Sequence, residues 1–278
     1  MKDRGFTLIE VLVVIAVIAL LLTIAVPVLQ KSKDQGKSLV CTSNLRQLAL
    51  AISVYAEEKK TYPQGFCGNP DCHPSISPEI YKKLNTDPSL DWQMSWWWFH
   101  FLTDIIKDDF SKDSILSCPS KNVMNSIISD NILCGNYGIN YAICKISITS
   151  TEEFCGIPLR PDQVKSPSGK LLLMDSGYAL ISWKAFIADA SSDPTTLGFE
   201  LPTRQNSYYL PRATVNHTRY DNGSINPFQQ EDAVKGRHLW GKVNVAFADG
   251  HVDKKSAESI EPAFNAEGDV ASSSSWSP

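Results

Sequence analysis

The chain lacks a broad excess of basic residues, since 26 Lys and Arg stand against 30 Asp and Glu, for a formal net charge of -4. Nucleic-acid-binding surfaces need clustered positive charge, so the composition gives no reason to expect a DNA or RNA partner. The sequence also lacks a glycine-rich phosphate loop and a nucleophile motif of the hydrolase kind. We therefore do not expect an enzyme.

An Ala-x-Ala cleavage site is also missing after the long apolar run at residues 6–29, which holds a single charge, Glu10. Secretory signal peptides place such a site after their apolar region and are then removed. In a helix at about 1.5 Å per residue, this run is long enough to cross a hydrocarbon core of about 30 Å. The run therefore predicts a transmembrane helix that the protein keeps.

The residues before this run form a short basic leader, with Lys2 and Arg4, that leads into Gly-Phe-Thr-Leu-Ile-Glu at residues 5–10. This N-terminus resembles the type III signal of type IV prepilins and type II secretion pseudopilins, which a membrane peptidase cuts after the glycine. The resemblance implies cleavage between Gly5 and Phe6 and methylation of Phe6 as the new N-terminus. The resemblance also implies three partners: prepilin peptidase, the inner membrane, and other pilin or pseudopilin subunits.

Glu10 places a carboxylate in the apolar segment, which costs a few kcal/mol in lipid unless the charge has a partner. The pilin resemblance supplies one, the free ammonium of Phe6 in the same chain or in a neighbouring filament subunit. Alternatively, Glu10 lies at the interface of an ordinary membrane anchor. Pro27 adds to the resemblance, because pilins of this family commonly carry a proline at the equivalent place.

The positive-inside rule does not settle the orientation of the span, because Lys2 and Arg4 before it nearly balance Lys31 and Lys33 after it. The orientation follows instead from the resemblance to prepilins. The implied arrangement is a single-pass protein of the bacterial inner membrane, with its C-terminal domain extracytoplasmic. The filament that contains this domain would lie either in the periplasm or on the cell surface. Its cysteines would lie in an oxidising compartment, where disulfides are expected.

The seven cysteines offer one easy local pair, Cys67 and Cys72, which would close the short loop Cys-Gly-Asn-Pro-Asp-Cys. A zinc site at Cys67, Cys72 and His73 is an alternative, but the spacing is loose and no second Cys-x-x-Cys follows. We therefore expect a disulfide or free thiols here, and no metal. An odd count leaves at least one cysteine without an intrachain partner. The sequence does not pair the other five: Cys41, Cys118, Cys134, Cys144 and Cys155.

Beyond the span, apolar residues recur at threes and fours over residues 38–59, which predicts that the helix continues as an amphipathic segment docked on a globular domain. The helix should end before Tyr62 and Pro63, because the residue before a proline is pushed out of helical geometry. The residues of the predicted stripe are Leu39, Val40, Leu45, Leu48, Ile52 and Tyr55.

A second helix is predicted at about residues 95–107, a segment that is apolar nearly all round. Its three adjacent tryptophans, Trp96, Trp97 and Trp98, are expected to fill the core beside the long helix. The alternative is a platform that stacks sugars or binds a partner.

The second half of the chain contains one compact apolar run, residues 170–175, which predicts a buried strand. Residues 183–230 alternate turn-forming residues with little period and are expected to form a long excursion. Within it, residues 221–224 offer carboxylate and amide oxygens at a tight turn. Calcium is possible there, as in the C-terminal loops of some pseudopilins, but turn chemistry explains the residues equally well, so we predict no cofactor.

A β-hairpin is predicted near the C-terminus, because Val243, Val245 and Phe247 alternate with smaller or polar residues before Asp249 and Gly250. Asp-Gly is a favoured two-residue hairpin turn, and residues 251–255 can return as the partner strand.

This hairpin and several shorter motifs resemble a large bacterial family of pseudopilin-like proteins with an N-terminal methylation signal and a C-terminal His-(nine residues)-Asp-Gly motif. Here ten residues separate His238 from the Asp249-Gly250 pair, and a bulge at Trp240 and Gly241 would absorb the extra one. The other segments that carry the resemblance are residues 41–48, 55, 62–63, 118–120, 137–140 and 167–175.

His238, Asp249 and His251 invite a metal or acid-base hypothesis, since two imidazoles and a carboxylate lie close together in the sequence. The structural explanation is simpler: the turn accounts for Asp249, His251 begins a strand, and His238 fixes the hairpin base. We therefore expect no catalytic residues.

The sequence thus predicts an α+β, type IV pilin-like fold, in which a long N-terminal helix packs on an antiparallel sheet with long loop insertions. The predicted divisions are a leader at 1–5, the helix at 6–60, a globular domain at 61–264 and a flexible Ser-rich tail at 265–278. The predicted function is a structural subunit of a type II secretion or type IV pilus-like filament. The alternatives are a membrane-anchored module that binds a glycan or secreted substrate, and an anchored hydrolase that uses the His238 group.

Overall fold

The computed structural model describes residues 7–67, 96–107, 114–121, 136–147, 156–176, 179–181, 237–260, 271 and 273–278. The long helix α1 is Leu8–Lys59, and one-turn α-helices lie at Thr103–Ile106 and Tyr141–Cys144. The strands are β1 (Phe66–Cys67), β2 (Trp96–Trp97), β3 (Tyr137–Asn140), β4 (Ile146–Ser147), β5 (Leu171–Asp175), β6 (Leu180–Ile181), β7 (Lys242–Phe247) and β8 (Val252–Ser256). Residues 221–224, where calcium was considered, and the predicted excursion at 183–230 lie outside these ranges.

Helix α1 is continuous over 52 residues and passes through Pro27 without a break. In its first half the large apolar side chains, from Leu8 to Leu29, are all at least 47% exposed, and they lie around the whole circumference. This is the one helix among the described residues that is long and apolar enough to cross a membrane, with a mean hydropathy of 3.2 over its most apolar stretch. A surface of this kind is stable in lipid rather than in water.

The second half of α1 packs on the globular domain, beginning at Ser38 and Cys41. The predicted stripe is partly wrong, because Leu39 is 65% exposed and Val40 is 50% exposed, whereas Leu45, Leu48 and Ile52 are fully buried. The helix ends at Lys59, and Lys60 adopts the left-handed conformation with a φ of 61°.

The domain is built on a five-stranded sheet with the order β6-β3-β5-β7-β8. Its neighbours are antiparallel except β3 and β6, which run parallel. A smaller sheet has the order β2-β1-β4, and its β1 and β4 are also parallel. The predicted α+β class is confirmed, while the two parallel pairs were not predicted.

The predicted buried strand and hairpin are confirmed as β5 and the β7–β8 pair. The predicted two-residue turn is wrong. The Phe247 amide donates to the His251 carbonyl over 2.9 Å, so three residues, Ala248 to Gly250, form the loop. Gly250 has a φ of 88°, the left-handed conformation that closes a three-residue hairpin loop and that glycine adopts without strain.

The tryptophan segment differs from the predicted helix. Trp96 and Trp97 form strand β2, whose register pairs Trp97 with Phe66, and a 3-10 turn, Trp98–Leu102, follows. Trp97 and Trp98 are 1% exposed, and the indole Nε1 of Trp98 donates to the Ala179 carbonyl over 3.0 Å. These two rings therefore fill the core, as expected, and do not form an exposed platform.

Burial of His100 predicts a loss of stability in mild acid. Its Nδ1 accepts the Trp97 amide over 2.9 Å, and burial lowers the pKa of His100 from 6.5 to about 3. Because the folded-state pKa lies below the unfolded one, the stability held by neutral His100 is present above pH 6.5 and declines as the pH falls towards 3. Between pH 7.5 and 5 we expect His100 to contribute a loss of about 2 kcal/mol.

This contribution is measured by urea unfolding of the wild type and of His100→Gln at both pH values. The glutamine keeps an acceptor for Trp97 but does not titrate. A variant with the same pH dependence as the wild type would contradict the assignment.

The predicted flexible tail is wrong for the end of the chain, residues 273–278. Trp276 is completely buried, and its Nε1 donates to the Ile260 carbonyl. The Leu171 amide donates to the Ser275 carbonyl over 2.7 Å, and the side chain of Asn140 donates to the Trp276 carbonyl over 3.3 Å. The C-terminus is therefore attached to strands β3 and β5. Residues 265–270 and 272 lie outside the described residues.

Candidate functional site

A buried cluster of four side chains joins α1 to the sheet: Cys41, Cys118, Asp175 and His238. One ligand-type atom of each, a thiol sulfur, a carboxylate oxygen or an imidazole nitrogen, lies within 4.8 Å of the others. The four residues come from four separate segments of the chain, and all are buried.

Each member is positioned by its local structure. Cys41 lies one helical turn before Leu45 on the buried face of α1. Asp175 is the last residue of β5, and His238 precedes β7, with its amide donating to the Lys242 carbonyl over 3.1 Å. The Cys118 amide donates to Asn136 Oδ1 over 3.0 Å, which attaches the turn at residues 114–121 to the start of β3.

The two sulfurs are 2.7 Å apart. The hydrogen bond from Cys118, aided by His238, lowers the pKa of Cys41 to about 5 against the effect of burial. Burial and the same hydrogen bond raise the pKa of Cys118 well above its usual value. The arrangement therefore favours a thiolate on Cys41 that accepts a hydrogen bond from the Cys118 thiol.

Asp175 accepts two hydrogen bonds on one oxygen. Its Oδ2 lies 2.8 Å from His238 Nε2 and 2.7 Å from the Asn244 backbone amide. Burial opposes the charged imidazole, but the hydrogen bond to Asp175 and the nearby Cys41 outweigh it and raise the pKa of His238 to about 9. The Thr42 hydroxyl of α1 donates to Asn244 Oδ1 over 3.0 Å. Helix α1 therefore also positions Asn244, whose backbone amide binds Asp175.

Arg237 ties the segments around the cluster together. Its guanidinium donates to the Asn136 carbonyl and to the Ser176 carbonyl, each over 2.7 Å. Charged donors to backbone carbonyls make strong hydrogen bonds. The segment before β7, the end of β5 and the start of β3 are therefore held in a fixed arrangement around the cluster.

The structure separates the three residues grouped from the sequence. His238 lies with Asp175, whereas Asp249 pairs with His251 at the exposed hairpin loop over 2.5 Å. The hypothesis of a metal or acid-base site made of His238, Asp249 and His251 is therefore wrong. Trp240 and Gly241, where the extra residue of the motif was predicted, have left-handed φ of 62° and 67°.

At the N-terminus, Glu10 caps its own helix. Its Oε2 accepts the Thr7 amide over 2.8 Å and the Thr7 hydroxyl over 2.7 Å, and its amide donates to Thr7 Oγ1 over 3.3 Å. This is a capping box, a Thr-x-x-Glu pattern that the sequence displays. Gly5 and Phe6 lie outside the described residues, so their processing and an ion pair between Phe6 and Glu10 remain predictions.

Cys67 takes part in a disulfide. Its predicted partner Cys72 lies outside the described residues, as does His73, so the pairing itself remains a prediction. Cys41, Cys118 and Cys144 are free thiols.

The cluster has the chemistry of a ligand site or a crosslink rather than of a surface active site, because substrates cannot reach buried side chains. Sequence reasoning singled out His238 but missed its partners. The signals available were a carboxylate that closes an apolar strand, Asp175, and a cysteine on the buried face of a helix, Cys41.

Comparisons with known proteins agree with the N-terminal features. Residues 1–26 match the family model of the prokaryotic N-terminal methylation motif. The chain is 32% identical over 97 residues to type II secretion system core protein G of Pseudomonas aeruginosa, covering 31% of this chain and 68% of that protein. It is 36% identical over 62 residues to core protein G of Escherichia coli, covering 22% and 43%.

A pilin is also similar, the type IV major pilin protein PilA of Myxococcus xanthus. The identity is 38% over 61 residues, which covers 22% of this chain and 28% of that protein. No solved structure gives a significant match.

Proposed function

Because the chain belongs to the family of type II secretion system core protein G and is a pilin-like pseudopilin, we propose that a prepilin peptidase processes it between Gly5 and Phe6 and that it then joins a helical filament. The observation that carries the proposal is the match of residues 1–26 to the methylation motif, which runs into the first half of α1, where the apolar side chains are exposed on all sides. The motif accounts for keeping the helix after the leader is removed.

The exposed surface of α1 supports the proposal of filament assembly. Its first half is stable in lipid, and on leaving the membrane it must bury its apolar side chains elsewhere, because exposure to water costs about 25 cal/mol per Å². The same helix in neighbouring subunits offers a matching apolar surface. We propose that Glu10 pairs with the Phe6 ammonium of a neighbour and so fixes the axial position of one subunit against the next.

The proposed location is the bacterial inner membrane, with the leader cytoplasmic and the globular domain outside. The disulfide at Cys67 supports an oxidising compartment for that domain. The proposed partners are the prepilin peptidase and other pilin or pseudopilin subunits.

Processing is tested by N-terminal sequencing and intact mass of the protein purified from its own membrane fraction. We expect a chain that starts at Phe6 and carries one N-methyl group. Gly5→Leu should leave the leader attached, while Asp3→Asn, in the same leader, should be processed normally. A wild-type chain that retains Met1, or one cut beyond residue 29, would contradict the proposal.

A further inference from the structure

We propose that Cys41, Cys118, Asp175 and His238 form a closed structural site for a zinc ion, which joins the long helix to the sheet. The site goes beyond filament assembly and does not depend on it. Its four residues are the ones whose ligand-type atoms converge within 4.8 Å.

Two unused polar atoms in the cluster point to a ligand. Asp175 Oδ1 and His238 Nδ1 are buried and have no hydrogen-bond partner among the described residues. The two side chains are 1% and 2% exposed. A buried polar group without a hydrogen bond is destabilising, so such atoms are uncommon in folded proteins. Asp175 and His238 thus each keep one ligand-type atom that hydrogen bonding leaves unused.

The donor set selects the class of metal. Calcium and magnesium prefer shells made of oxygen, whereas two thiolates with an imidazole and a carboxylate suit a borderline-soft ion. Zinc takes four such ligands in a tetrahedron, and a site without an open position is structural rather than catalytic. The burial of all four side chains fits a closed site.

Hydrogen bonds around the cluster hold the ligands in place, as they do at other metal sites. The Asn244 amide holds Asp175 Oδ2, and the Asn136 side chain holds the Cys118 amide. These contacts fix the direction of the carboxylate and the position of the turn that carries Cys118.

The separation of the sulfurs is intermediate between those of a disulfide and of a zinc site. At 2.7 Å it lies between the S–S bond of about 2.05 Å and the spacing of about 3.8 Å that Zn–S bonds of about 2.3 Å give in a tetrahedron. Zinc entry therefore requires the turn at residues 114–121 to move by about 1 Å. A Cys41–Cys118 disulfide would explain the two sulfurs but leave Asp175 Oδ1 and His238 Nδ1 unsatisfied.

The test uses the full chain, purified in detergent without added metal or chelator. Its zinc content is measured by mass spectrometry, and its thermal unfolding with and without EDTA. We expect about one zinc per chain and a lower melting temperature in EDTA. Cobalt in place of zinc should give the absorption of cobalt-thiolate bonds.

Matched variants locate the metal in the cluster. Cys118→Ser and His238→Gln should lower the zinc content at least tenfold. Cys144→Ser and His251→Gln, which remove a buried cysteine and an exposed histidine outside the cluster, should keep it. The effect of EDTA is measured on the wild type. It therefore tests the proposal even if a substitution in the cluster prevents folding.

Three results would overturn the proposal. One is a Cys41–Cys118 disulfide, found by peptide mapping of non-reduced protein from the membrane fraction. Another is a wild-type protein with free thiols that binds no zinc when the ion is supplied. The third is equal zinc binding by wild type and Cys118→Ser.

Discussion

Trp276→Ala is expected to lower the free energy of unfolding by about 3–5 kcal/mol, the usual cost of removing a large buried aromatic side chain. The ring is completely buried, and its Nε1 donates to the Ile260 carbonyl. The substitution leaves a cavity and removes the donor to the Ile260 carbonyl. Since small domains are stable by only 5–15 kcal/mol, this is a large fraction of the total.

The loss would extend to the neighbouring strands, because the residues around Trp276 are bonded to them. The Leu171 amide donates to Ser275, and the Lys170 ammonium donates to the Ser274 carbonyl over 2.9 Å. A chain shortened before residue 273 should therefore be at least as unstable as Trp276→Ala.

Urea unfolding of the full chain, followed by tryptophan fluorescence, measures both effects. Trp240→Ala is the matched control, since this tryptophan is 76% exposed and its loss should change the stability by less than about 0.5 kcal/mol. Equal stability of Trp276→Ala and Trp240→Ala would contradict the attachment of the C-terminus to the core.

Glu10→Ala is expected to abolish filament assembly while leaving the globular domain folded. The substitution removes the carboxylate proposed to pair with the Phe6 ammonium of a neighbouring subunit, and a charge pair in an apolar bundle cannot be replaced by water. Cross-linking and pelleting of filaments measure assembly, and trypsin resistance of the domain measures folding.

Two variants separate this charge from the helix cap that Glu10 also makes. Glu10→Gln can still accept the Thr7 hydrogen bonds but carries no charge, so assembly should fail. Thr7→Ala removes the hydroxyl of the capping box and keeps the carboxylate, at a cost of about 1 kcal/mol to the helix end, so assembly should continue. Normal assembly of Glu10→Gln would count against a role for the charge.

The parts of the fold that local patterns determine were predictable. The apolar run of β5, the alternation in β7 and the exposed span of α1 each follow from a few neighbouring residues. The segment at Trp96 was predicted as a helix because it is apolar all round, but pairing with β1 makes its first two residues a strand. Tertiary contacts there override local preference.

The candidate site was not predictable because its contacts join distant segments. Cys41 and Cys118 are 77 residues apart, and Asp175 and His238 are 63 apart. No spacing rule relates such positions. The end of the chain was missed for a different reason: its serine-rich composition indicates flexibility, while a single residue, Trp276, supplies the buried surface that orders it.

The unbroken course of α1 determines how the subunit carries mechanical load. At about 1.5 Å per residue, the helix is a rod of about 78 Å whose exposed half continues directly into the half that packs on the sheet. An axial pull on the membrane half is therefore borne in shear by all the contacts from Ser38 to Ala56 together, rather than by peeling them one at a time. In the proposed extraction from the bilayer, the domain would therefore follow the helix as one body.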